Sequence, residues 1–333
     1  MTYPTRAMVV AILVGTLCDA GRAVGDEPAE ESSTPQQIDR LIGDLDDESF
    51  RVREAAQRKL LVIGLPALPA LRVAAGSRSP EVRLRVRSLV RTIQREMFQR
   101  AFTRLAEQTD DAKIDLDEGM WLIATLVDPA ADRQQIDKQL DRLAARVQAR
   151  LGKGVDAKTA DPKKVVAALR QVIFTEEKFT GNADDYDHPD NSAIDKVLKT
   201  KKGLPILLSH VVVSVAERIG APMAGIPIPG RYMVKYDGRR APRGFAKQDI
   251  IIDPFADGRV MSDEDMKKTL GEGPSVVSYL TPSTHRATLV RMLTNLRADF
   301  VAQGKTKQAE RAYRCWLRLQ SAGAARDPGN PFD

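Results

Sequence analysis

Few side chains in this 333-residue chain can do covalent or metal chemistry: three histidines, two cysteines and the carboxylates near them. Ser209 and His210 place a hydroxyl beside an imidazole inside an apolar run, the ingredients of general-base catalysis. Neighbouring residues on a helix diverge by about 100°, so neither can act on the other, and both are expected to pack or back-bond within a helix. His188 lies among loop carboxylates and His285 in Thr284-His285-Arg286. Neither belongs to a ligand set with metal spacing, so no metal and no cofactor is expected. Asp184, Asp185, Asp187 and Asp190 crowd one polar loop, but the central Gly and terminal Glu of a calcium loop are missing. That loop is expected to satisfy itself by hydrogen bonds. Cys315, in Tyr313-Arg314-Cys315-Trp316, falls in a helical pattern with no histidine nearby, which predicts a buried, inert thiol.

The elements that position these groups need packed cores, and the composition supplies them. Hydrophobic residues make up 43% and charged residues 29%, which excludes a wholly disordered or polytopic membrane chain. The length exceeds one ordinary core, so two or three folding units are expected. Aromatics at 5% favour helices over an aromatic-rich sandwich. The net charge of +6 is spread along the chain. Two basic stretches, Arg78 to Arg100 and Lys196, Lys199, Lys201 and Lys202, lack interleaved aromatics that could stack on bases, so no nucleic-acid partner is expected. Arg6 precedes an apolar run from Met8 to Leu17 and small residues at Ala20, Ala23 and Gly25. Residues 1–25 thus read as a signal peptide, and the protein as exported, periplasmic or secreted. No run approaches the roughly 20 apolar residues of a membrane span, so the mature chain is expected to have none.

Residues 26–37 are acidic and polar without apolar period and read as a linker. From Ile38 the helical period begins. A helix is predicted from Phe50 to Ile63, stopped by Gly64 and Pro66, and a short one from Pro66 to Ala75. Ser49-Phe50-Arg51-Val52-Arg53 recurs thirty positions on as Ser79-Pro80-Glu81-Val82-Arg83. Residues 38–100 therefore resemble a short HEAT-like array. Further helices are predicted at Leu116 to Val127, Arg133 to Leu151, Val165 to Thr175 and Leu204 to Ile219. Strands are predicted at Met223 to Pro227, Tyr232 to Tyr236 and Ile250 to Ile252. The fold class is α+β and predominantly helical, with a small antiparallel sheet packed on the apolar helix. Residues 286–320 resemble one tetratricopeptide-like helix pair turning at Gly304-Lys305, and residues 321–333 read as a disordered tail.

One succession is more specific: VIFTEEKFTGNADDYDHPDN, then KTKKGLPILLSHVVVSVAERIG, then IPIPGRYMVKY, then IIDPFADG, then the helix pair. It resembles the bacterial SirB-type family of transglutaminase-like domains, over residues 114–285 with the helix pair following. The resemblance implies a papain-like core whose triad joins a Cys at a helix N-terminus, a His on a strand and an Asp on the next. Carried onto this chain, the Cys position is Pro205 in Gly203-Leu204-Pro205, the His position is Arg231 in Pro229-Gly230-Arg231, and the Asp position is Asp253. Proline has no nucleophile, and a guanidinium offers no lone pair at neutral pH. Arg231 and Asp253 are therefore expected to form a salt bridge across adjacent strands.

Three functions remain open. The first is a non-catalytic binder of peptides or proteins, with Asn182, Asn191, Arg231 and Tyr232 as contacts in the degenerate cleft. The second is a peptidase or acyl transferase with a non-standard site. The third is a charge-mediated adaptor working through Arg83, Arg87, Arg91 and Arg95.

Overall fold

The computed structural model describes residues 34–270 and 280–324. The segment expected to be a signal peptide, most of the expected linker and the end of the expected tail lie outside them. The chain folds as two compact units, Met1–Val90 and Arg91–Asp333.

In the first unit, α1 (Pro35–Gly43) begins inside the segment expected to be linker. Thr34 Oγ1 accepts from the Gln37 amide while Gln37 Oε1 accepts from the Thr34 amide at 2.7 Å. This reciprocal cap satisfies two donors that a helix start otherwise leaves bare. Helices α2 (Phe50–Ile63) and α3 (Leu68–Ala74) follow, then the first part of α4 (Pro80–Glu107). Leu45, Leu60, Leu71, Val86 and Leu89 are buried. The thirty-residue repeat is also a repeat of local structure. Arg53 Nη1 reaches back to the carbonyls of Asp47 and Glu48. Arg83 Nη1 reaches back in the same way to those of Ser77 and Arg78.

The second unit is mainly helical and carries a four-stranded antiparallel sheet, so its class is α+β. Helices α5 (Leu116–Val127) and α6 (Arg133–Leu151) start at Asp115 and Asp132, whose carboxylates accept from backbone amides two or three residues on. Next comes α7 (Pro162–Arg170), continued by one π-helical stretch, Gln171–Glu176. Two short strands, β1 (Thr180–Gly181) and β2 (Lys202–Gly203), pair in parallel around α8 (Ile194–Thr200). The central element is α9 (Pro205–Arg218), buried at every position from Pro205 to Ala216. Each large aliphatic side chain removed from water there contributes about 1.5–3 kcal/mol.

The main sheet runs β3 (Met223–Ile228), β4 (Arg231–Tyr236), β5 (Ile250–Asp253) and β6 (Arg259–Met261), in that order. Alternation sorts its side chains. Tyr232, Val234, Tyr236 and Ile252 join the core that holds α9, whereas Ile226, Ile228, Met233, Ile251 and Met261 form a second cluster with Met266 of α10 (Asp263–Leu270). Helices α11 (His285–Ala302) and α12 (Thr306–Ala324) pack on each other around Gly304, which takes a φ of 67°. Helix α12 extends to Ala324, so the segment read as a tail from residue 321 begins in helix. No described helix is long and apolar enough to cross a membrane.

The β4 and β5 ends are fixed by Asp249, whose carboxylate accepts from the Gly238 amide and from Lys235 Nζ, both at 2.8 Å. A Cβ on Gly238 would stand 2.3 Å from the Gln248 carbonyl carbon and 2.4 Å from its oxygen. Gly238→Ala is expected to lower stability by about 1–3 kcal/mol, since backbone must move to relieve overpacking. A urea titration with unchanged slope and a lower midpoint checks this.

Candidate functional site

Pro205 occupies the first turn of α9, where its missing amide costs nothing. Leu204 precedes it in extended backbone, and its amide donates to the Asn191 carbonyl at 3.2 Å. Arg231 opens β4 and Asp253 closes β5. Arg231 Nη1 donates to Asp253 Oδ2 at 2.8 Å, from a side chain 53% exposed to one 2% exposed. The other oxygen of Asp253 accepts from the Phe255 amide at 3.0 Å and caps the turn Pro254–Ala256. Both carboxylate oxygens are thus engaged, and neither Pro205 nor Arg231 supplies a proton acceptor.

The β1–β2 pairing brings Gly181 and Asn182 beside Gly203. The Asn182 amide donates to the Gly203 carbonyl at 3.2 Å, and Asn182 Nδ2 donates to Asn191 Oδ1 at 2.9 Å. Asn191 Nδ2 donates in turn to the carbonyls of Asp185 and Tyr186, at 2.6 and 3.0 Å. Asn191 is buried, and its amide group closes the loop instead of facing a cleft. Tyr232 is buried too: its ring lies on the α9 side of the sheet and its hydroxyl meets Thr288 Oγ1 at 2.9 Å. Of the four contact residues expected from sequence, Arg231 keeps the most open side chain. Beside it stands Arg291 of α11, which donates to the Arg231 carbonyl at 2.7 Å and covers the Tyr232 ring at 5.3 Å. Phe255 lies against Gly181, leaving no room for a Cβ there, and meets the half-exposed Tyr186 edge to face at 5.8 Å.

Two groups were not foreseen from the sequence. Asp299, on α11, is buried and accepts from Ser192 Oγ at 3.1 Å. Burial pushes its carboxyl up to about 6; Ser192 pulls it back, Asp187 pushes it further and His188 opposes. His210 Nε2 lies 2.9 Å from Asp117 Oδ1 in a bent contact, with both side chains buried or nearly so. Burial would raise Asp117, but His210 and Arg218 outweigh it and hold the carboxyl far below its ordinary range. These pairs join residues 107 and 93 positions apart (299 − 192 and 210 − 117), so no local spacing announces them. Cys315 is buried, and burial pushes its thiol up to about 12, so it is protonated at neutral pH.

The helix and strands that carry these residues lie within the segment that the comparisons match. Residues 134–294 match the family described as the transglutaminase-like superfamily. The chain is 31% identical over 165 residues to a UPF0162 protein of Xylella fastidiosa, covering 46% of this chain and 54% of that protein. It is 26% identical over 211 residues to a UPF0162 protein of Pseudomonas aeruginosa, covering 62% and 72%. It is also 24% identical over 151 residues to F-box only protein 21 of Mus musculus, covering 45% and 23%. The chain spans about half the length of the first of these relatives. No solved structure matches.

Asp299 gives a pH prediction. Its folded carboxyl titrates above the unfolded value of about 3.9, so its favourable contribution is fully present below pH 4 and is lost as pH rises through 6. Asp299→Asn keeps an acceptor for Ser192 and is expected to stabilise the protein by about 1–3 kcal/mol at pH 8. The gain should vanish near pH 4. Paired urea titrations at the two pH values check both the sign and the window.

Proposed function

We propose that this is an exported, non-catalytic member of the SirB-type transglutaminase-like proteins, which holds an extended peptide or protein segment at its degenerate cleft. The observation that carries this reading is the Arg231–Asp253 ion pair at 2.8 Å. A guanidinium stays protonated at any physiological pH, so the position that would hold the base offers only donors. Pro205 removes the nucleophile, and Cys315 is too deeply buried and too weakly acidic to replace it. The exposed guanidinium of Arg231, Arg291 beside it, and the half-exposed Tyr186 over Phe255 form a surface suited to peptide carbonyls and acidic side chains. The HEAT-like first unit and the tetratricopeptide-like pair α11–α12 supply further binding surface on this reading. Of the four arginines of the adaptor alternative, Arg83 is directed at helix-flanking carbonyls.

A library of extended peptides displayed against the chain lacking residues 1–25 is expected to yield binders and no cleaved or transferred product. Arg231→Lys keeps the charge but loses the planar fork, and should weaken the best binder about tenfold, about 1.4 kcal/mol. Binding unchanged by Arg231→Lys would remove the cleft from the reading. Turnover that disappears in Cys315→Ala would establish the enzyme instead.

A further inference from the structure

The last turns of α4 and the helix α12 border an open groove of about 830 Å³, lined by Arg100, Thr103, Arg104 and Glu107 from the first and by Arg318 from the second. All of these residues belong to the second unit, and none to the degenerate cleft, so the reading of that cleft does not bear on them. The two walls are tied together by one side chain. Arg286 Nη1 donates to the carbonyls of Ala106 on α4 and Leu319 on α12, at 3.1 and 3.2 Å. Its Nη2 donates to the Gln108 carbonyl at 2.7 Å. The charges above this floor are in part unspent. Arg104 is paired with Glu118 at 2.5 Å. Arg100, Glu107 and Arg318 are exposed, and none has an ion pair or a side-chain hydrogen bond among the described residues.

Two unpaired guanidiniums and one unpaired carboxylate in one groove suit a partner that itself carries both signs. The order of the charges along α4 says which. Arg100 and Glu107 stand seven residues apart, which is two turns, or about 10.5 Å along one face. Laid antiparallel against a copy of itself about the point between Thr103 and Arg104, α4 brings each Arg100 opposite the other Glu107. The two-fold operation therefore makes the pair twice. It also sets Gln99 against Gln108, both in the lining, and Thr103 against Arg104. The two Arg104 guanidiniums come nearest the axis, where Glu118 already offsets the charge of each. Antiparallel helices place opposite dipole ends side by side, which favours the same arrangement. An acidic peptide would satisfy Arg100 and Arg318 but would set its own carboxylates against Glu107. We infer that this groove is a two-fold docking surface for a second copy of this chain, with Arg100 of each copy paired to Glu107 of the other.

The test is sedimentation equilibrium of the full chain at low and high salt. A monomer–dimer equilibrium in the micromolar range is expected at about 50 mM salt, and a weaker one at about 500 mM, because exposed ion pairs are individually small and screened. Arg100→Glu and Glu107→Arg each set like charges against each other at both symmetric contacts. Each should weaken the dimer at least tenfold, at exposed positions where folding is not at risk. The double variant, which exchanges the two charges, should recover most of the affinity. A chain that stays monomeric up to about 500 μM, a dimer untouched by either single variant, or a double variant no tighter than the singles would each overturn the assignment. So would a monomeric chain that takes up a short oligoglutamate peptide and loses it in Arg318→Glu, since the groove would then belong to an acidic peptide.

Discussion

A helix enclosed on every side constrains this domain more than any other feature. From Pro205 to Ala216, α9 presents no residue to solvent, so each polar group on it must find a partner inside the protein or leave a buried atom bare. Ser209 donates to the Tyr232 carbonyl at 3.3 Å, which ties the helix to β4. Ser214, one turn on, donates to Asp117 at 2.9 Å, and Arg218 reaches the same carboxylate at 2.8 Å. One side chain in the first turn of α5 therefore neutralises the polar edge of α9. Removing it would strand a hydroxyl, an imidazole and a guanidinium together, so the placement of α5 is set by the sequence of α9 as much as by its own.

The same enclosure fixes the loop ahead of α9. The helix start draws on the Asn191 carbonyl, and a Cβ on Gly203 would stand 2.9 Å from Val197. Lys201 takes a left-handed φ of 64° to turn from α8 into β2. Its ammonium lies over the Phe179 ring at 4.4 Å and 3.1 Å from Glu177. Glu177 also receives Arg142 and Arg146, while Glu176 receives Arg146 and Arg150. Isolated exposed pairs contribute little, but Glu177 is only 9% exposed, and three cations converge on it. The network anchors the end of the π-helical stretch, from which the loop toward Asn182 departs. The asparagines are consumed in building this platform.

How far the sequence disclosed all this depends on range. Helices α2, α5 and α6 were legible to the residue because a breaker or a capping carboxylate sits where the apolar period starts or stops, at Gly64, Asp115 and Asp132. The start of α1 was missed: Thr34-Pro35-Gln36-Gln37 is a capping box, but its polar surroundings read as linker. Strand β6, three residues long, is too short to alternate visibly. The π-helical stretch has the periodicity of the helix it continues. Arg231 and Asp253 could be paired in advance because the family resemblance put them at neighbouring triad positions on adjacent strands. Asp117 with His210 and Asp299 with Ser192 could not, since each pair exists only after three or more elements have packed. Asn191 and Tyr232 looked available for the same reason: a polar residue in a loop or strand declares its chemistry, not the partner that has already claimed it.

The guanidinium at position 231 follows from what Asp253 does. One oxygen of that carboxylate caps the turn after β5, a backbone requirement that stands whether or not catalysis occurs. A carboxylate at 2% exposure also needs a donor at its other oxygen, and the charged Arg231 guanidinium supplies it from Nη1 at 2.8 Å. An imidazole would supply that charge only below its own pKa, near 6.5, leaving the turn weakly supported at neutral pH. Arginine supplies it throughout, and its length lets the charged end stay half in water while one nitrogen reaches the buried oxygen. The residue at position 231 is thus the one that lets the turn and both strand ends keep their geometry.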